Sequence, residues 1–253
     1  SMTSTYARIA LGNFGSVGTV EVKDASTWTI AQDLQLVDGD GSLFIGPGAQ
    51  VSCGQTARVG FWSALRGDMG TLKASAVTVE GTVSGGTDVG VPGILFIDGN
   101  YTHDTFGEYR VDLWGCEAGT EHDQLQITGA ANLAGNVIVQ HHFFDPPLGT
   151  AYKILTAGSV NGQFEAEELP DLDGERSFEL VYRTNEICVH VVKDCMEDID
   201  GDGWVGLTDL IQVLATWGDC DDCAACPANV YCDESVNFLD LVQVIASWGP
   251  CPE

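Results

Sequence analysis

The C-terminal part of the chain is written twice. A shift of 31 residues lays 195–220 on 226–251 without a gap. The bounding cysteines coincide, and so do Asp202/Asp233, Val205/Val236, Asp209/Asp240, Leu210/Leu241, Gln212/Gln243, Val213/Val244, Ala215/Ala246, Trp217/Trp248 and Gly218/Gly249. Matching at this density marks an internal duplication, and each copy is one supersecondary unit that packs on the other.

The first copy carries Asp198-Ile-Asp200-Gly-Asp202-Gly203-Trp204-Val-Gly-Leu-Thr-Asp209, the spacing of an EF-hand loop. Calcium is a hard cation that takes six to eight oxygens. Asp198, Asp200 and Asp202 can surround one ion if the chain turns sharply, which Gly203 permits. The Trp204 carbonyl supplies the next ligand, and Asp209 closes the site from the first turn of the following helix. Val205 is expected to pair with Val236 as the short strand joining two loops. Leu210, Ile211, Val213 and Leu214 have helical spacing, and Gly218 is expected to end the helix. The second loop is degraded. Asn229, Asp233 and Asp240 can ligate, as can the Ser235 carbonyl, with Asn237 assisting. Tyr231 takes the place of a carboxylate and Glu234 that of the turn glycine. A calcium-binding loop and a metal-free loop both remain open for it.

Charge separates this tail from the rest. Lys+Arg is 10 against Asp+Glu 37, for a net charge of −27. The stretch 196–253 holds twelve acids and no Lys or Arg, so −12 of that charge lies there. The boundary is therefore expected between 1–194 and 195–253. Such a surface repels nucleic acid and attracts cations. Six of the nine cysteines fall between Cys195 and Cys251, which points to disulfides in an oxidising compartment or to a metal site. No apolar run approaches the roughly 20 residues that a bilayer span needs. The abrupt start after Ser1-Met2 suggests a C-terminal piece of a longer secreted protein.

The duplicated segment resembles a type I dockerin. The resemblance covers 198–249 and rests on the two loop-helix halves. It implies Ca²⁺ as cofactor and a cohesin-like or other surface protein as partner. Partner choice would sit at Leu207, Thr208, Phe238 and Leu239. It also implies two-fold symmetry with antiparallel helices, which brings the start of one half near the end of the other. A disulfide within one half would have to bridge a nine-residue helix of roughly 13 Å. The limit between bridged Cα atoms is about 7 Å. The symmetric pairing is then Cys195–Cys251 and Cys220–Cys226, leaving Cys223 to pair with Cys232. A zinc or redox site at Cys220, Cys223 and Cys226 is the competing reading.

Residues 6–193 read as short strands broken by glycine turns. Examples are 17–22, 41–45, 77–83, 93–97, 109–113, 125–127 and 136–139, several with clear alternation. Their spacing suits a β-solenoid better than a sandwich of regular hairpins. Segments such as Glu121-His-Asp-Gln-Leu125, Gly129-Ala-Ala-Asn-Leu133-Ala-Gly135 and Gly149-Thr-Ala-Tyr-Lys-Ile-Leu155 resemble the coils of autotransporter-like passenger proteins. That resemblance implies a right-handed parallel β-helix. The fold class expected is thus mainly β, a β-solenoid followed by a small EF-hand-like α-helical pair.

No catalytic constellation emerges. Asp98, Asp112 and Asp123 fall near strand ends, where turn and cap roles are common. His141, His142 and Asp145 could ligate a transition metal with His122 or His103, but adjacent strand residues point to opposite faces. The reading is a non-catalytic secreted or cell-surface protein, a stalk with a Ca²⁺-dependent docking module. The alternative is a polysaccharide-binding or polysaccharide-degrading protein, with Trp28, Trp62 and Trp114 stacking on sugars.

Overall fold

A computed structural model describes residues 1–5, 7–9, 17–36, 40–87, 90–172, 174, 176–220, 226–231, 233 and 235–251. It is mainly β and contains a β-solenoid of about 6 turns. The chain divides into two compact units. One comprises 1–143, 153–169 and 182–187, and the other 144–152, 170–181 and 188–253.

In the first unit, each coil lays one strand on the equivalent strand of the next, in parallel. Strand Thr27–Ile30 pairs with Gln50–Cys53, which pairs with Gly70–Val79, then Ile94–His103, then Gln124–Ile127. A second ladder runs through Val17–Val22, Asp40–Ile45, Ala64–Gly67, Thr82–Ser84, Glu108–Leu113 and Asn136–His141. Parallel register stacks like on like. Leu43, Leu65, Val83, Tyr109 and Val137 form one fully buried column. Trp28, Val51, Leu72, Ile97 and Ile127 form another. The period-2 alternation in sequence is this inward-outward alternation.

Glycine marks the corners. The run 77–83 reads as one strand but is the end of one and the start of another. A Cβ on Gly81 would sit 2.2 Å from the Ser63 carbonyl oxygen, so the bend there admits no side chain. Gly99 (φ 151°) similarly approaches the Ala74 carbonyl.

The second unit contains the duplicated tail. Helix α1 spans Leu207–Ala215 and helix α2 spans Phe238–Ala246. Val205, Val213, Ala228, Val236 and Val244 are its buried core, with Leu210 and Leu241 packed against it. Disulfides Cys195–Cys251 and Cys220–Cys226 are formed, with Cα atoms 5.8 and 6.0 Å apart. The expected Cys223–Cys232 pair lies outside the described residues.

Two local expectations are corrected. Val205 does not pair with Val236. Instead Trp204–Val205 pairs antiparallel with Gly249–Pro250, and Ser235–Val236 with Gly218–Asp219. Each loop strand is laid along the segment that follows the other half's helix, and the two valines meet only through their side chains in the core. Second, α1 stops at Ala215, where Thr216 takes over as C-cap, and Gly218 (φ 134°) opens the short strand. The unit also contains 144–152. The Gly149 amide donates to Val191 and the Val191 amide to Thr150, both at 2.9 Å. A Cβ on Gly149 would lie 2.8 Å from the Cys226 carbonyl.

Candidate metal centre

Asp198, Asp200 and Asp202 offer carboxylate oxygens that all lie within 4.8 Å of one another. Asp198 is the buried member, and its two oxygens organise the turn. Oδ1 accepts from the amides of Gly201 (2.9 Å) and Asp202 (3.1 Å), and Oδ2 from Gly203 (3.0 Å). Gly201 and Gly203 both have left-handed φ, 77° and 82°. A side chain at either would strain the turn. Asp202 caps the turn through the Trp204 amide at 2.8 Å. The Asp200 carboxyl is held above its ordinary value, first by lost hydration. The Asp202 amide opposes that shift, while repulsion from Asp209, Asp202 and Asp198 adds to it.

Asp209 stands apart from this trio. Its Oδ1 accepts from the amides of Ile199 (2.7 Å) and Asp200 (3.1 Å), and its Oδ2 from Gly206 (2.8 Å). It therefore ties the loop to the first turn of α1, and its negative charge also suits that helix N-terminus. The donor set fits a hard cation: three convergent carboxylates, the Trp204 carbonyl available in sequence, and no soft ligand. One group escaped the sequence reading. Lys193 precedes the tail, donates to the Asp198 carbonyl, and lies 3.8 Å from its Oδ2. It places one positive charge beside an otherwise acidic loop.

The second loop keeps the frame and loses the charge. Asn229 Oδ1 accepts from the Asp233 amide (3.0 Å), and Asp240 accepts from the amides of Tyr231 (2.9 Å) and Asn237 (2.7 Å). Asp240 is fully buried, which raises its carboxyl above the usual range despite those amides. Tyr231 is half-exposed.

The four candidate partner-binding residues are all exposed, Leu207 at 63% and Phe238 at 65%. They begin two equivalent stripes. Leu207, Ile211, Leu214 and Trp217 correspond at 31 residues to Phe238, Val242, Ile245 and Trp248, and every member is exposed.

Elsewhere the proposed metal-binding histidines are engaged separately. His142 Nε2 is 2.6 Å from Asp112 Oδ1 beneath a stacked Trp114 ring. His122 Nε2 faces the Lys153 carbonyl, His103 Nδ1 meets the Tyr101 hydroxyl, and Asp145 binds Arg176. Trp28 is a core residue, whereas Trp62 is exposed.

Asp123 is fully buried. It accepts from the amides of Gly93 (2.9 Å) and Asp112 (3.1 Å) and from the Ser84 hydroxyl (3.2 Å), so it locks three coil segments together. An Asn there would turn an NH₂ toward one of those donors. Asp123→Asn is expected to cost about 1–3 kcal/mol. Burial, only partly offset by the donors, pushes the carboxyl up to about 7. The unfolded value is about 3.9. The folded chain thus holds an extra proton between these values. The group's stabilising contribution is complete below about pH 4 and is lost as pH rises through about 7. The cost of the substitution should therefore shrink between about pH 5 and about pH 8. Denaturant unfolding at both pH values checks this, and a cost that grows with pH would contradict it.

Among the described residues, no helix is long and apolar enough to cross a membrane. In comparison with known proteins, the chain matches no protein-family model and no curated protein.

Proposed function

We propose that residues 195–251 are a calcium-ordered docking module of the type I dockerin kind. In this reading it is carried by a β-solenoid stalk in a non-catalytic, secreted or cell-surface protein. The single observation that most supports it is the pair of matched apolar stripes. A small domain gains nothing in stability by exposing Leu207, Ile211, Leu214 and Trp217 together with Phe238, Val242, Ile245 and Trp248. Contiguous exposed apolar surface of this kind marks protein contact. The convergent acids of 198–202 supply the switch. Their mutual repulsion loosens the loop, and a Ca²⁺ ion would hold it in the shape that sets α1. The partner is a cohesin-like or other surface protein with an apolar, non-acidic face.

The test is capture of cohesin domains and of surface proteins by the immobilised full chain. Capture should require calcium and fall at least about tenfold, about 1.4 kcal/mol, when Leu207→Glu and Phe238→Glu are combined. Capture that ignores both calcium and these substitutions would remove the docking reading. Hydrolase and lyase assays on common polysaccharides are expected to give no turnover.

One observation favours glycan binding as a second reading. Phe61, Trp62 and Phe106 form an exposed aromatic cluster at neighbouring coil corners, with Phe61 4.8 Å from Trp62 and 5.7 Å from Phe106. A glycan array with wild type and Trp62→Ala decides it: binding lost with the indole supports that reading, and no binding by wild type removes it.

A further inference from the structure

The duplication makes the two loops a controlled comparison, because each residue of one has a counterpart 31 positions on. Asp198 becomes Asn229, Asp200 becomes Tyr231, Asp202 remains as Asp233, Gly206 becomes Asn237, and Asp209 remains as Asp240. The backbone bonds survive these changes. Asn229 Oδ1 receives the Asp233 amide as Asp198 Oδ1 receives the Asp202 amide. Asp240 receives the Tyr231 and Asn237 amides as Asp209 receives those of Asp200 and Gly206.

The cation chemistry does not survive. Of the three convergent carboxylates in the first loop, one remains, and it is already engaged. Asn237 is the N-cap of α2, and its Oδ1 accepts the Leu239 amide at 2.7 Å. That bond fixes which way the carboxamide faces, since a flipped amide would set two donors against each other. Its NH₂ therefore points into the loop. It lies 2.8 Å from Asp233 Oδ2, 2.9 Å from Ser235 Oγ and 3.4 Å from the Ser235 carbonyl. Gly206 can offer no such group to the first loop. Calcium affinity follows the number of charged ligands, and a loop that keeps one of these three carboxylates, itself hydrogen-bonded to Asn237, is a poor match for a divalent ion.

We propose that the second half is a metal-independent loop held in shape by the Asn237 carboxamide, so the tail is a one-ion module whose halves respond unequally to calcium. This rests on the calcium reading for the first loop alone. The assignment of the second loop stands on its own hydrogen bonds. It also gives the second half a role, as a fixed platform for the first to fold against.

Calorimetric titration of the full chain with calcium tests it, together with NMR of the Asn237 side-chain amide. One ion per chain is expected. Asp198→Asn with Asp202→Asn should abolish binding up to millimolar calcium, and Asp233→Asn should change the Kd less than about twofold, under 0.5 kcal/mol. The Asn237 NH₂ signals should stay in place as calcium is added. Two ions in the wild type, or residual binding in the first-loop variant that Asp233→Asn removes, would overturn the proposal. A wild type that binds no ion while Asn237 stays fixed would sink the calcium reading of the first loop and the one-ion module with it, and would uphold only the metal independence of the second loop.

Discussion

Calcium is expected to raise the unfolding temperature of the second unit, chelator is expected to lower it, and Asp200→Ala should erase the difference. The loop sets Asp198, Asp200 and Asp202 within 4.8 Å, with Asp209 at its base. Among the described residues, Lys193 offsets that charge from 3.8 Å. Each carboxylate accepts at least one backbone amide, so the turn gathers the three charges against their mutual repulsion. An ion that binds only the folded form stabilises it by RT ln(1 + [L]/Kd), about 2.7 kcal/mol at 100 times Kd. Asp200 is the test position because it accepts one amide, that of Asp202, against three for Asp198. Its removal takes a ligand without dismantling the turn that Asp198 organises. Scanning calorimetry of the full chain, in millimolar calcium and in chelator, checks this. The first unit contains no such cluster among its described residues and should melt alike in both. Identical melting of the second unit in the two conditions would refute the expectation.

The duplication was legible because sequence identity at a fixed shift is insensitive to packing. It identifies equivalent residues but not which half each one reaches. That is why Val205 was expected opposite Val236 and instead lies along Gly249. The solenoid was legible through glycine corners and period-2 strands. The break at Gly81 was not, because Val77 to Val83 alternates without interruption and the reason for the bend is a carbonyl from the coil before. Trp28 and Trp62 look alike in sequence, yet one fills a stacked column and the other a corner. Lys193 was missed for a related reason. The composition break falls just after it, so it was counted with the stalk, although its ammonium reaches Asp198. Asn237 was noted only as an assisting ligand. Its N-cap bond to Leu239, which turns the NH₂ inward, depends on where α2 begins.

Loss of the Cys195–Cys251 bond should destabilise the tail about twice as much as loss of Cys220–Cys226. The first bond joins residues 56 apart and the second residues 6 apart. Closing the longer loop removes more freedom from the unfolded chain, roughly 4 kcal/mol against roughly 2 kcal/mol by chain entropy. Position reinforces length. Cys251 also donates its amide to the Gly203 carbonyl at 3.0 Å, beside the pairing of Trp204 with Pro250. The clasp thus holds the last strand against the acidic loop, and opening it frees the backbone that shapes that loop. The shorter bond ties the link between the halves, where Asn229 already donates to the Cys226 carbonyl at 2.9 Å. Paired serine substitutions, each removing both sulfurs of one bond, separate the two effects in denaturant unfolding followed by Trp fluorescence. The Cys195/Cys251 variant should also bind calcium more weakly, because the ion must then order the loop unaided. Equal losses from the two variants, or a clasp variant with unchanged calcium affinity, would mean that the loop is held by its own hydrogen bonds and not by the closure of the termini.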